Sequence, residues 1–210
     1  MRGWVVGITG ASGAIYGIRL CEELLKREIP LHIVVTEAGW RVLREELGWQ
    51  TSQRKEALEA HFAPFGGTYQ YHPIADIGAS IASGSFRTEG LVVMPCSMGT
   101  LSGISRGASD NLLERTADVM LKERRRLILV PRETPLHAIH LENMLSLAKM
   151  GVSIIPAMPA FYHGPKSLDD IVGFLVGKVM DNMGIDHQLF NRWGEQANEQ
   201  ERETNPHRTH

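Results

Sequence analysis

The sequence predicts an α/β protein, a three-layer, doubly wound and mostly parallel sheet. Three observations point there. Short apolar runs rich in β-branched residues recur along the chain: Trp4-Val5-Val6, Leu31-His32-Ile33-Val34-Val35, Leu91-Val92-Val93-Met94, Leu127-Ile128-Leu129-Val130 and Val152-Ser153-Ile154-Ile155. Each reads as a strand, most of them buried. Between them lie segments with apolar residues at helical spacing, and strands alternating with helices pair in parallel through crossovers. The first strand also runs straight into Gly7-Ile8-Thr9-Gly10-Ala11-Ser12-Gly13-Ala14. A strand, a Gly-rich turn and a helix N-terminus expose unpaired backbone N–H groups and the positive end of a helix dipole, which suits an anion. A tight turn with nothing bound is the plain alternative.

At 210 residues the chain has ample length for a core, and it reads as one domain over residues 1–195 with a polar tail over 196–210. The tail, including Asn198-Glu199-Gln200-Glu201-Arg202-Glu203, has almost no apolar content and is expected to be disordered. A hydrophobic share of 43% and a charged share of 22% are ordinary for a globular protein. The formal net charge of -2 argues against a general nucleic-acid binder. Two cysteines, Cys21 and Cys96, make neither a disulfide framework nor a zinc spacing. With no leader-like segment and no bilayer-length apolar run, the expectation is a cytoplasmic protein without membrane contact.

In order along the chain, Ile18, Cys21, Leu24 and Leu25 give the first helix its buried face, and Pro30 breaks it before the second strand. A second helix is expected from Thr36 to about Glu46, with Val42 and Leu43 inward. The polar stretch that follows reads as part helix over 54–62 and a loop at Pro64-Phe65-Gly66-Gly67. Tyr69-Gln70-Tyr71-His72 then forms a short strand, and the small residues of 78–86 form a loop with a helical turn. Pro95-Cys96-Ser97-Met98-Gly99-Thr100 is a second small-residue turn leading into a helix. Ser109 or Asp110 caps the next helix, whose core face is Leu113, Ala117 and Met120. Pro131-Arg132-Glu133-Thr134-Pro135 closes the following strand, and a helix spans about 137–149. Ser167 with Asp170 three residues later reads as a capping box, opening a helix that buries Leu168, Ile171, Val172, Leu175 and Val179 and stops near Gly184.

In such Rossmann- or flavodoxin-like sheets ligands sit at the C-terminal strand ends, which gathers four loops: 10–13, Thr36, 95–100 and 131–135. Glu37 leaves a dinucleotide ribose contact open. The Thr36 hydroxyl and the donors of Ser97 to Thr100 instead suit the phosphate of a mononucleotide such as FMN. Arg132-Glu133, just past a buried strand, offers a guanidinium for phosphate and a carboxylate for proton movement, or an ordinary loop ion pair. The run Lys122-Glu123-Arg124-Arg125-Arg126 reads as a solvated helix end, with Asp118 placed to pair with Lys122. Lys178 lies on the border of an apolar stripe, where it snorkels or faces a cleft. His137, His140 and Glu142 lack a further ligand at useful spacing, so capping histidines are expected there and no metal. Cys96 at a strand end reads as packing rather than a nucleophile.

Several separated motifs then converge: Thr9-Gly10-Ala11-Ser12-Gly13-Ala14-Ile15-Tyr16-Gly17, Ser83-Gly84-Ser85-Phe86, Pro95-Cys96-Ser97-Met98-Gly99-Thr100-Leu101-Ser102, Arg115 to Arg125, Val130-Pro131-Arg132-Glu133-Thr134-Pro135 and Pro159-Ala160-Phe161-Tyr162-His163. Together, from about Val5 to Glu195, the chain resembles the flavin prenyltransferases (UbiX/Pad family) of the FMN-binding flavoprotein decarboxylase-like superfamily. The resemblance implies an FMN-binding domain and metal-independent transfer of a dimethylallyl group from a monophosphate to N5 and C6 of reduced FMN. The product is prenylated FMN for UbiD-type decarboxylases, and the resemblance places the protein in ubiquinone biosynthesis.

By motif, Gly10, Ala11, Ser12, Thr36, Cys96, Ser97, Met98, Gly99 and Arg132 are expected to hold FMN. Lys122, Arg132, Tyr162 and Lys178 are expected to hold the dimethylallyl phosphate, with Trp193 covering it. Glu46 and Glu133 are expected to handle protons, and Glu45 stands beside Glu46 as an alternative. Some members carry arginine where this chain has Lys178, which keeps the charge without the bidentate fork. A cationic cluster of Lys122, Arg132 and Lys178 would stabilise the departing phosphate. The family further implies a large homo-oligomer, typically a dodecamer, with sites at subunit interfaces. The alternatives are an FMN-dependent decarboxylase of the same superfamily and a non-catalytic FMN-binding accessory protein.

Overall fold

The computed structural model describes residues 2–192. They fall into two compact units, the first running through Met158 and the second starting at Pro159. In the first, β1 (Trp4–Ile8), α1 (Ala14–Lys26), β2 (Leu31–Val35), α2 (Glu37–Leu47), α3 (Arg54–Phe62) and β3 (Tyr69–Pro73) follow one another. Short 3-10 turns lie at Ala63–Phe65 and Ser80–Ala82. Then come β4 (Gly90–Cys96), α4 (Met98–Ser105), α5 (Leu112–Lys122), β5 (Arg126–Pro131), α6 (Ala138–Lys149) and β6 (Ser153–Ile154). The strands form one six-stranded sheet in the order β3-β2-β1-β4-β5-β6, and every pairing is parallel.

Alternation along β1 explains the two helical layers. Val5 joins an apolar cluster with Leu91 and Val93 of β4, Leu101 of α4 and Leu113 of α5. Gly7 faces the same way, where an added Cβ would meet Leu113. Ile8 points oppositely, against Gly17 of α1, as the two-residue period of a strand requires. The buried face of α1 includes Ile18, Cys21, Leu24 and Leu25, as the spacing predicts. Among α2 residues Trp40 and Leu43 are buried, whereas Val42 is half-buried. The cap of α5 differs from expectation: neither Ser109 nor Asp110 but Asn111 accepts the Glu114 N–H, at 3.0 Å. The expectation has the right residue class one or two positions early, because three adjacent residues all suit an N-cap.

The second unit contains α7 (Leu168–Met183). Its capping box is formed: Ser167 accepts from Asp170 N, and Asp170 accepts from Ser167 N. Val172, Leu175 and Val179 are buried, but Leu168 is 68% exposed and Ile171 half-buried, so the inward stripe starts a turn later than the periodicity suggests. Gly184, at φ 75°, ends the helix. No helix among the described residues is long and apolar enough to cross a membrane.

A histidine pair inside the sheet makes stability depend on pH. His32 Nδ1 of β2 lies 3.0 Å from His72 Nε2 of β3, and the Phe86 ring stands edge-on to His32. Burial, and then His72, push the His32 pKa from 6.5 down to about 4. The folded state therefore binds fewer protons than the unfolded chain between those values, and His32 contributes stability that is present above pH 6.5 and lost as pH falls toward 4. His32→Gln is expected to flatten the pH dependence of the urea midpoint in that interval. An unchanged slope would exclude His32 as its source.

Candidate active site

The strand order turns around between β1 and β4, so the loops leaving these strands diverge and open a crevice at their C-terminal ends. The first loop is the Gly-rich turn. Gly13 sits at φ 100° and ψ 33°, a left-handed conformation in which a Cβ would also meet the Tyr16 ring. Gly10 lies against Ala38 of α2, where a Cβ would collide with the Ala38 methyl.

The helix end behind this turn is already engaged. Glu46, in the last turn of α2, accepts from Gly13 N at 2.9 Å and from Ala14 N at 3.0 Å. The anion at the N-terminus of α1 is thus a carboxylate of the same chain. Two of the N–H groups that the sequence offers to an anion are taken within the chain. Glu46 rather than Glu45 makes the contact, while Glu45 pairs with Arg41 at 2.8 Å. Replacing Glu46 with Ala removes a helix cap and a charge favourable to the dipole, and is expected to cost about 1 kcal/mol. In a chain of this size that corresponds to a fall in Tm of about 3 °C. An unchanged melting curve would show that the contact adds nothing.

The remaining donors come from α2, α4 and the loop after β5. Thr36 caps α2: its Oγ1 accepts from Gly39 N at 3.0 Å, which leaves the hydroxyl proton to donate. Ser97 caps α4, accepting from Thr100 N at 3.3 Å. The Met98 and Gly99 N–H groups in that first turn have no intrahelical partner, and a Cβ on Gly99 would meet open space. Arg132 Nε donates to Ser12 O at 3.1 Å, and Arg132 N donates to Cys96 O at 3.3 Å. The loop after β5 is thereby tied to both other loops. Glu133 is exposed, with Oε1 accepting from the Thr134 N–H at 3.0 Å. Ser12 is exposed at the turn, while Ala11, Met98 and Cys96 are buried. Burial pushes the Cys96 thiol up, out of the range of a thiolate nucleophile.

Lys122 is not brought to Arg132. It ends α5, ahead of β5, while Arg132 follows β5, so the six residues of that strand separate them. At about 3.3 Å per residue the separation is about 20 Å. Lys122 Nζ instead pairs with Glu123 at 2.6 Å, and both side chains lie against Gly84. The expected pairing with Asp118 is absent, because Asp118 takes Arg115 at 2.8 Å. Nor is the basic run simply solvated: Arg125 holds the Phe86 and Gly84 carbonyls. In the second unit, Lys178 is exposed on α7 and Tyr162 is exposed, its ring edge-on to Phe174. Trp193 lies outside the described residues.

His137 and His140 stack face to face with centroids 3.5 Å apart, and His137 makes no side-chain cap on α6, contrary to the capping expectation. No group of three His, Cys, Asp or Glu among the described residues could hold a metal ion. Cavities of about 460 Å³, at Trp49, Gln53 and His61, and about 470 Å³, at Arg124, Arg125 and Met150, involve none of the candidate residues. Sequence reasoning missed two residues here. Thr9 carries no signal beyond its place in the first motif, although its buried hydroxyl joins two loops. Arg125 reads in sequence as a surface charge, although it holds the Ser83-Gly84-Ser85-Phe86 loop by two of its carbonyls.

The flavoprotein family model matches residues 1–180. A flavin prenyltransferase UbiX of Halalkalibacterium halodurans is 59% identical over 199 residues, covering 95% of this chain and 97% of the relative. The crystal structure of AnUbiX (PadA1) in complex with FMN and dimethylallyl pyrophosphate superposes with a TM-score of 0.83 at 40% identity, covering 92% and 97% of the two chains. A dodecameric FMN-dependent UbiX-like decarboxylase from Escherichia coli O157:H7 gives a TM-score of 0.82 at 43% identity, covering 91% and 98%. The chain belongs to the flavoprotein family and, within it, to the UbiX flavin prenyltransferases.

Proposed function

We propose that this protein is a metal-independent flavin prenyltransferase, joining a dimethylallyl group from dimethylallyl monophosphate to N5 and C6 of reduced FMN. The product is prenylated FMN, taken up by a UbiD-type decarboxylase in the cytoplasm. The observation that carries the reading is the donor set at the switch point. The Thr36 hydroxyl retains a proton to donate, the first-turn N–H groups of Met98 and Gly99 have no helical partner, and Arg132 is held on Ser12 O. These are donors without a competing carboxylate, which fits a ligand presenting phosphate, ribityl and carbonyl oxygens. Gly10, Ala11 and Ser12 keep the facing turn small, so a flat ring can approach. The reading of residues 1–195 as the FMN-binding domain belongs to the same proposal.

Bound reduced FMN supplies the electron-rich atoms that accept the prenyl group. Around it the chain manages charge and protons. With Nε spent on Ser12 O, Arg132 has its two terminal nitrogens for the departing phosphate, where charge builds in the transition state. Monophosphate leaves poorly, so Glu133 delivers a proton to the leaving oxygen. Removal of the C6 proton falls to Glu133 or Glu46, the latter anchored on Gly13 and Ala14. Tyr162, Lys178 and Trp193 are assigned to the phosphate and prenyl end on the family motif alone.

Lys122 reaches a phosphate only in a second copy, which makes the site one shared between subunits. Leu141 and Leu145, one turn apart on α6, are each more than half exposed, an apolar face that suits such an assembly. The assembly is proposed to be a homododecamer.

Incubation with reduced FMN and dimethylallyl monophosphate tests the reading. The expected result is a flavin heavier by one prenyl unit, with no carbon dioxide released from thiol-peptide substrates. Carbon dioxide without flavin alkylation would establish the decarboxylase, and neither product would leave an FMN carrier.

A further inference from the structure

We propose that Thr9 is a positioning residue for flavin binding, setting the turn after β4 against the turn after β1 through its buried hydroxyl. The proposal rests on the flavin reading of the switch-point crevice. Thr9 is fully buried. Its Oγ1 donates to Pro95 O at 2.8 Å and accepts from Ser97 N at 2.8 Å, while its backbone N donates to Pro95 O at 3.3 Å. One hydroxyl thus joins residues 86 and 88 positions away.

The place of this link in the sheet gives it its meaning. Paired residues of β1 and β4 run from Trp4↔Gly90 to Gly7↔Val93 and stop there. Beyond Val93 the register of β4 also shifts on its β5 side. The crevice opens where the β1–β4 ladder ends, and Thr9 is the cross-link just past it. Because Ser97 N is held by Thr9, Ser97 keeps its extended conformation at φ -73° and ψ 152° and its own hydroxyl caps α4. The direction of the first α4 turn, with the Met98 and Gly99 N–H groups, therefore depends on a hydroxyl in the other loop. The Thr9 site needs an acceptor and a donor on a single atom, which a hydroxyl provides and a methyl does not. Branching at Cβ adds a stiff χ1 that holds the oxygen in place.

Thr9→Val keeps the shape and removes both hydrogen bonds, whereas Thr9→Ser keeps the hydroxyl. FMN affinity is measured by quenching of flavin fluorescence, alongside the absorption spectrum of the bound flavin and prenyl transfer at saturating FMN. Thr9→Val is expected to raise the FMN Kd by about tenfold or more and to alter the bound spectrum, with Thr9→Ser returning within about threefold of the parent. A Thr9→Val protein that melts earlier yet binds FMN with unchanged Kd and spectrum would overturn the proposal. Should Thr9→Val not fold, amide exchange of the parent decides: a Ser97 N–H protected before FMN is added supports the clamp, and a freely exchanging one refutes it. Failure of the parent to bind FMN would refute the functional reading, and the positioning role with it.

Discussion

Mixed assemblies of Lys122→Ala and Arg132→Ala chains are expected to recover prenyl transfer that neither variant shows alone. In the proposed site each substitution removes a cation from the departing phosphate, and loss of one such electrostatic contact is expected to cost about 10²-fold or more in turnover. The two residues lie at opposite ends of β5, so one chain does not place both at one phosphate. If each site takes Arg132 from one copy and Lys122 from another, random mixing leaves about one quarter of sites with both native residues. Activity of the mixture at that fraction, with mixed composition verified by native mass spectrometry, is the expected reading. Mixed assemblies that stay as inactive as the parents would mean that the two cations do not meet across subunits.

Glu133→Gln is expected to retain FMN binding and to lose about 10² to 10⁴-fold in turnover, the usual contribution of a positioned acid or base. The glutamine keeps the size and can still accept the Thr134 N–H, so the loop carrying Arg132 is expected to stay in place. The defect is also expected to shrink when the donor is dimethylallyl diphosphate, whose leaving group needs less help from an acid. A full-rate Glu133→Gln enzyme would remove the carboxyl from the proton pathway. A defect of equal size with both donors would move its role away from the leaving oxygen.

Much of the fold was legible because burial is written residue by residue. β2 spans Leu31–Val35 as its apolar run suggests, and α3 spans Arg54–Phe62 despite a weak apolar pattern. The sequence also indicated that Gly10, Thr36, Ser97 and Arg132 would share a sheet edge, since in a parallel sheet every loop leaving a strand end lies there. Local capping was less legible where suitable residues crowd together, as at Ser109, Asp110 and Asn111.

Residue patterning alone specified the α/β class and a mostly parallel sheet, and the motifs specified the family. The assembled fold sets what the loops at the strand ends do to one another. It put Glu46 on the N-terminus of α1, 33 residues from Gly13. It spent the Thr9 hydroxyl on the β4 turn and sent Lys122 to the far end of β5. The reason is physical. A strand or helix follows from periodic burial along a few neighbouring residues, whereas a hydrogen bond between distant loops depends on strand order and on where a ladder stops. Neither of those leaves a local mark in the chain.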